Sequence, residues 1–489
     1  MKLTLKGHDY RYAAEPMMLT LFPGERPGAG ENALTLSLFR GESWLTARAE
    51  LIWEGVSFSA VRRARVGELT GGLTDDRVCQ RILKLAFYDA GTRALGKEPP
   101  WGALTGVRPV KIPAKAMEQG LSPLRAERLL RDIYRVSPIR RRLAMDCAGE
   151  SVAARRSLRG DEVSLYVGIP FCPSRCVYCS FISAAVERCL PLVEPFVTAL
   201  EREIEATGAL LRETGRTVRT LYVGGGTPTT LSAPQLERVL SALERCLPME
   251  GCSEFTVEAG RPDTITPEKL AVLSKHRVDR VSVNPQSMED GVLERMGRPH
   301  TGADIRRAYG EVRRAGAFAV NMDLIAGLPG DTPEGFARSL SEVLSMGPEN
   351  VTVHTLALKK GSRLTEEGSS LPSAEQVEQM LDRAWDVLRE AGYAPYYLYR
   401  QKYMSGSFEN VGWAKSGCAS LYNIAMMEEL HTILALGGGG VTKLVWPESG
   451  KIKRVANPKY PQEYLRDVEK ICREKGALAP FLRETKGVQ

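Results

Sequence analysis

Between residues 163 and 358 the chain repeats one pattern six times. The short apolar runs VSLYVGIPF, TVRTLYVGGG, EFTVEA, DRVSVNPQ, AVNMDLIAGLPG and ENVTVHTLAL are separated by stretches with helical spacing, such as SAPQLERVLSALERCL, GADIRRAYGEVRRAGA and TPEGFARSLSEVLSM. Strands that recur at roughly 30 to 40 residues with a helix between them form right-handed βα units and a parallel sheet. Six such units predict an α/β fold, a partial (β/α)6 barrel of the TIM type that stays open on one side. Each run also ends on polar or small residues: Cys172, Gly224 to Thr227, Glu258, Asn284 to Gln286, Asp323 and His354. In a βα barrel the C-terminal strand ends build the active site, so these positions are expected at one mouth.

The chain has 489 residues, more than one ordinary domain uses. The expected division is an N-terminal α+β domain over 1–110, an Arg-rich helical connector over 111–160, the barrel over 161–365 and a C-terminal helical and mixed extension over 366–489. In the first part MMLTLF, LTLSLF and SWLTARAELIWEG read as strands, and DDRVCQRILKLAFYDAGTRALG reads as a helix ending at a glycine. From Arg125 to Arg159 ten arginines face four carboxylates. That excess suits a solvated helical connector, or a surface that attracts a polycarboxylate. No interleaved aromatics accompany it, so nucleic acid is not an expected partner. No run approaches the ~18 to 20 apolar residues of a membrane span, and MKLTLKG opens without a signal-peptide pattern. The expected location is the cytoplasm and the expected state a monomer.

Three of the ten cysteines fall inside FCPSRCVYCS, as CxxxCxxC just after the first barrel strand. A chance cluster is one reading. Structural zinc is another, but it wants four ligands, and Cys189 is a poorly spaced fourth. A [4Fe-4S] cube held by three thiolates leaves one iron open for a small molecule, which gives the missing ligand a purpose.

With Tyr178 before the last cysteine and GGGTP after the second strand, the motif resembles the radical S-adenosylmethionine (SAM) superfamily. YVGIPFCPSRCVYC, LYVGGGTPT, VNPQSMEDGVLERMGR and NMDLIAGLPGDT together resemble the oxygen-independent coproporphyrinogen III oxidase (HemN-like) family. LTGVRPVK, HTLALKKGSRL, YYLYRQKYMSGSFENVGWAK and LYNIAMMEELHTILALGGGG extend the resemblance, in its HemZ branch, over nearly the whole chain. The resemblance implies that Cys172, Cys176 and Cys179 hold a [4Fe-4S] cluster. It implies that Tyr166, Gly225 and Glu258 contact the SAM on that cluster. A second SAM is implied at Tyr178, Gly226, Thr227, Gln286, Arg298, Asp323 and Ala357. Tyr166, Glu258 and Gln286 are the expected catalytic residues.

One position departs from the family pattern: the oxidases carry a fourth cysteine where Phe181 stands. The related haem chaperones lack it too, but their HNxxYW motif is absent here. The expected activity is oxidative decarboxylation of coproporphyrinogen III to protoporphyrinogen IX, with an electron donor such as flavodoxin or ferredoxin. The alternatives are haem binding and delivery, or methylation or ring opening of a tetrapyrrole. Of the five histidines only His354 falls at a barrel-strand end, as a structural residue, a haem ligand or a proton donor. Lys359, Lys360 and Arg363 are candidates for holding propionates. The run LGGGG at 436–440 lacks the phosphate-loop pattern and reads as a close-approach loop.

Overall fold

The computed structural model describes residues 1–66, 75–179, 184–357, 364, 371–401 and 408–487. The chain divides into two units, Met1–Ala148 with Tyr399–Glu409, and Gly149–Leu398 with Asn410–Gln489.

In the first unit β1 (Lys2–Lys6) pairs parallel with β2 (Ala33–Arg40), which continues antiparallel into β3 (Trp44–Trp53) and β4 (Val56–Arg65). Leu45, Ala47, Ala49 and Leu51 alternate inward along β3 and share a core with the helices Arg11–Leu21 and Asp75–Leu95. The strand expected at MMLTLF is corrected here: it belongs to the helix Arg11–Leu21, whose Ala13, Ala14, Met17, Met18 and Leu21 are buried at helical spacing. Six residues are too few to separate a period of 2 from one of 3.6, and Met and Leu favour helix. The helix Asp75–Leu95 starts on two acidic residues and stops before Gly96, which takes a left-handed φ of 66°. The returning segment is fastened by Glu409, which accepts from Trp101 Nε1 at 2.6 Å and pairs with Arg140 at 3.0 Å.

In the second unit the barrel strands are β5 (Glu162–Ile169), β8 (Thr217–Gly225), β9 (Glu254–Gly260), β10 (Arg280–Val283), β11 (Ala319–Ala326) and β12 (Asn350–Thr355). Between β5 and β8 lies the short parallel pair β6 (Phe171–Cys172) and β7 (Ala184–Ala185). The six barrel strands lie side by side in chain order and every neighbouring pair is parallel. The sheet does not close on itself. On the β12 side it continues through antiparallel β14 (Glu409–Ala414) to β13 (Ala394–Arg400). On the β5 side β15 (Ile433–Gly437) adds a further parallel strand, followed by antiparallel β16 (Val441–Val445) and β17 (Ile452–Ala456). Four of the intervening helices start at Ser or Thr N-caps, Ser232, Thr266, Thr301 and Thr332, with capping boxes at Ser232/Gln235 and Thr301/Asp304. The LGGGG run is a close-approach loop: a Cβ on Gly437 would stand 2.2 Å from the Gly168 carbonyl oxygen, so β15 reaches β5 only through glycine. Among the described residues no helix is long and apolar enough to cross a membrane.

Candidate active site

Past β5 the chain turns through Pro170 into β6 and then into the cysteine turn. Cys176 is buried, and Cys172 and Cys179 are half-buried. The turn is pinned to the neighbouring strand ends by specific contacts. Gly226 and Thr227 donate their amides to the carbonyls of Ile169 and Phe171, each at 2.7 Å, and Thr227 Oγ1 donates to Cys172 Sγ at 3.6 Å. A Cβ on Gly226 would lie 2.4 Å from the Phe171 oxygen and 3.0 Å from that sulfur, so the glycine is needed by the cysteine turn itself. Further along, Val177 donates to the Met296 carbonyl at 3.1 Å and Cys179 to the Cys176 carbonyl at 3.2 Å.

Beside the turn, on β9, stands Glu258. Its carboxylate accepts from the Tyr222 hydroxyl and, at 3.3 Å, from the Gly225 amide. Burial lifts its pKa to about 7; the nearby Asp323 adds to the rise, while the two hydrogen bonds oppose it. Tyr222 lies opposite Tyr166 on neighbouring strands, with ring centroids 6.2 Å apart, and stacks at 4.5 Å on Tyr422 from the helix Leu421–Glu428. Neither Tyr222 nor Tyr422 falls in the set of expected site residues. The first shares a strand position with Tyr166, which is a readable signal. The second arrives from some two hundred residues later in the chain, and no local pattern announces it.

At the next strand ends, Gln286 holds a left-handed φ of 69° and forms a parallel bridge with Leu324, donating its amide to the Asp323 carbonyl at 2.8 Å. Such a backbone in a residue other than glycine is costly, so the surrounding contacts enforce it. The Asp323 carboxylate accepts from Asn321 at 2.7 Å and lies 3.7 Å from His354 Nε2. Burial would raise its pKa, but His354, Asn321 and Thr352 hold it below the usual value. Asp323 lies inside β11, and the next helix takes its N-cap from Thr332. Arg298 is buried and donates to the carbonyls of Asn284 at 2.6 Å and Pro285 at 3.1 Å. Burial opposes its charge; Tyr178 and Cys176 beside it sustain that charge and leave its pKa raised. Burial likewise pushes the Tyr178 hydroxyl far up.

Two neighbourhoods therefore meet at one mouth: Tyr166, Gly225 and Glu258 with Asp323 and His354, and the cysteine turn with Tyr178 and Arg298. Ala357 stands just past β12. Cys189 belongs to the helix Val186–Thr214, beyond the turn. Phe181, Lys359, Lys360 and Arg363 lie outside the described residues. Buried Gln286 Oε1, Arg298 Nε, Asn284 Oδ1 and the Tyr422 hydroxyl have no hydrogen-bond partner among the described residues. Buried polar atoms are normally paired, so these are groups prepared for a polar ligand. Among the described residues no three His, Cys, Asp or Glu side chains converge as a single-ion site. A cubane makes no such demand, because each thiolate binds a different iron, and three thiols in one turn beside a glycine cradle fit it.

Residues 166–343 match the model of the radical SAM superfamily. Over 462 residues the chain is 42% identical to the oxygen-independent coproporphyrinogen-III oxidase-like protein HemZ of Bacillus subtilis (strain 168), covering 93% of this chain and 91% of that one. The chain belongs to the HemZ family of radical SAM proteins. Radical SAM proteins use a [4Fe-4S] cluster and SAM. This HemZ-family chain is also 31% identical over 340 residues to the heme chaperone HemW of the same organism, covering 66% of this chain and 84% of that one. Among solved structures it is similar to coproporphyrinogen III oxidase (HemN) from Escherichia coli, with a TM-score of 0.53 and 22% identity over 68% of this chain and 78% of that one. That likeness is one of fold.

Proposed function

We propose that this HemZ-family protein oxidatively decarboxylates two propionate side chains of coproporphyrinogen III to vinyl groups under anaerobic conditions. The observation that carries the reading is the meeting, at the ends of one set of parallel strands, of the cysteine turn, the Glu258 carboxylate and the unpartnered polar atoms of Gln286 and Arg298. The tetrapyrrole is supported by the likeness to HemZ.

In this reading Cys172, Cys176 and Cys179 hold the cluster. Glu258, beside the Gly225 amide, accepts from the ammonium of the first SAM, and Tyr166 flanks it. Tyr178, Gly226, Thr227, Gln286, Arg298, Asp323 and Ala357 serve a second SAM, with Arg298 facing a carboxylate and Asp323 a hydroxyl or ammonium. A cluster held by Cys172, Cys176 and Cys179, with SAM beside Glu258, would supply the radical chemistry for removing a hydrogen from the propionate β-carbon; loss of carbon dioxide would then leave one electron for an acceptor. The stacked Tyr166, Tyr222 and Tyr422 rings line the Glu258 side of the site. Flavodoxin or ferredoxin is the proposed electron donor, the cytoplasm the proposed location and a monomer the proposed state. The test is anaerobic incubation of reconstituted protein with SAM, reductant and coproporphyrinogen III. Vinyl-bearing product together with 5'-deoxyadenosine and methionine is expected, and SAM cleavage without any vinyl product overturns the assignment.

A second reading, haem binding and delivery, is favoured by the HemW likeness and by His354, a quarter exposed beside Asp323. It requires a saturable Soret shift when cluster-free protein is titrated with haemin, lost in His354→Ala.

A further inference from the structure

Between Cys172 and Cys176 the turn carries Ser174, and a cation reaches it from the next strand end but one. Arg261, just past β9, donates Nη1 to Ser174 Oγ at 2.7 Å. The remaining edge of its guanidinium makes a fork onto Asp263, Nε to Oδ1 at 2.9 Å and Nη2 to Oδ2 at 2.8 Å. Arg261 is 3% exposed, whereas Asp263 is 33% exposed. The short turn Pro262–Thr264 that carries the pair is itself tied down, since Thr264 Oγ1 donates to the Arg261 carbonyl at 2.8 Å and bonds Thr229 Oγ1 at 2.7 Å. The same pocket of charge extends to the cysteines. Arg298 interacts with both Cys176 and Asp263, and His300, whose two ring nitrogens are unpartnered, is held neutral by burial and by Arg298 and Arg261.

We infer that Arg261 and Asp263 form a charge-paired clamp that fixes the turn between the first two cluster cysteines and, by the balance of its two opposite charges, holds the cluster's reduction potential between the values that either charge alone would give. The inference rests on the reading of Cys172, Cys176 and Cys179 as cluster ligands. A bidentate guanidinium on a carboxylate is rigid, so the third edge presents its donor at a fixed place, and Ser174 is held there. Adding an electron makes the cluster more negative. A nearby buried cation stabilises that state and a nearby anion opposes it, strongly in a medium poorer than water. Arg261 and Asp263 cancel at a distance, so each charge removed alone uncovers the other. Arg261 and Asp263 are positioning residues; neither is assigned contact with substrate.

The experiment uses the full chain, reconstituted anaerobically, with the cluster's midpoint potential read by an EPR-monitored dithionite titration and cluster hold by the rate of iron release to a chelator. Arg261→Gln takes from Asp263 its bidentate partner and is expected to lower the midpoint potential. Asp263→Asn leaves Arg261 uncompensated and is expected to raise it. Ser174→Ala removes the tether without changing charge; it is expected to release iron roughly tenfold faster while leaving the potential near that of the parent, as the loss of one charge-assisted hydrogen bond implies. Opposite shifts in the two charge variants support the clamp, because a merely structural loss cannot invert its sign. Shifts of one sign, or none, with clusters present overturn it. Should Arg261→Gln fail to fold or to hold iron, the upward shift in Asp263→Asn decides. A parent protein that assembles no cluster on its three cysteines sinks the underlying reading instead, and so separates the two failures.

Discussion

Glu258 is the residue at which the site's electrostatics become measurable. Its carboxyl titrates at about 7, against an ordinary value of 4.5, because the buried site disfavours its charge. In the cofactor-free protein its contribution to stability is therefore full below pH 4.5 and lost as the pH rises through about 7. Binding has the opposite sense, since only the ionised form pairs with an ammonium. SAM affinity is expected to rise between pH 6 and 8, and Glu258→Gln to flatten the profile and cost roughly ten- to hundred-fold at pH 8, as equilibrium dialysis will read. Asp323→Ala separates the two proposed SAM positions: the cluster and some SAM cleavage are expected to survive, with SAM per chain falling from two to one. A single site in the parent contradicts that division. The CxxxCxxC spacing, GGGTP and the matched strand positions of Tyr166 and Tyr222 stand out in the sequence because each pattern is local. Tyr422 and Arg261 do not, because the ring and the charge they bring meet the site only when distant segments align.

Six parallel strands in chain order are legible from periodicity, since each short apolar run ends on polar or small residues and stretches of helical spacing separate them. MMLTLF is too short a window to reveal the helix Arg11–Leu21, and nothing in the sequence gives the order of β13 to β17. Strands that add to the two edges of a sheet pair with partners hundreds of residues away, and apolar alternation does not say with which. The end of β15 shows how such an edge is specified. Gly437 has a φ of +78° and no room for a Cβ against Gly168. Gly437→Ala is expected to cost about 2 to 4 kcal/mol in urea denaturation, from strain plus the displaced strand. Gly450, with a φ of +64° but open space around it, supplies the comparison: Gly450→Ala meets strain alone and should cost about 1 kcal/mol.

At the scale of the whole molecule, one buried histidine far from the mouth adds to the fold's response to acid. His431 bonds Ser164 Oγ at 2.7 Å, and Ser164 in turn bonds Thr220 at 2.6 Å beneath β5 and β8. Burial and then Arg216, Arg219 and Arg155 push its pKa down to about 3. A depressed histidine contributes stability above its unfolded value of 6.5 and loses it as the pH falls toward the folded value, about 2 kcal/mol by pH 5. His431→Gln is expected to remove that part of the acid sensitivity in denaturation measured at pH 7 and pH 5. The proposed chemistry, hydrogen removal from a propionate of a tetrapyrrole, is assigned to the mouth at the opposite strand ends. Coproporphyrinogen III deuterated at the propionate β-carbons, incubated anaerobically with SAM, reductant and reconstituted protein, tests that claim in the 5'-deoxyadenosine produced. Mass spectrometry is expected to find deuterium in it alongside a vinyl-bearing product; 5'-deoxyadenosine formed without deuterium, and with the propionates intact, contradicts the account.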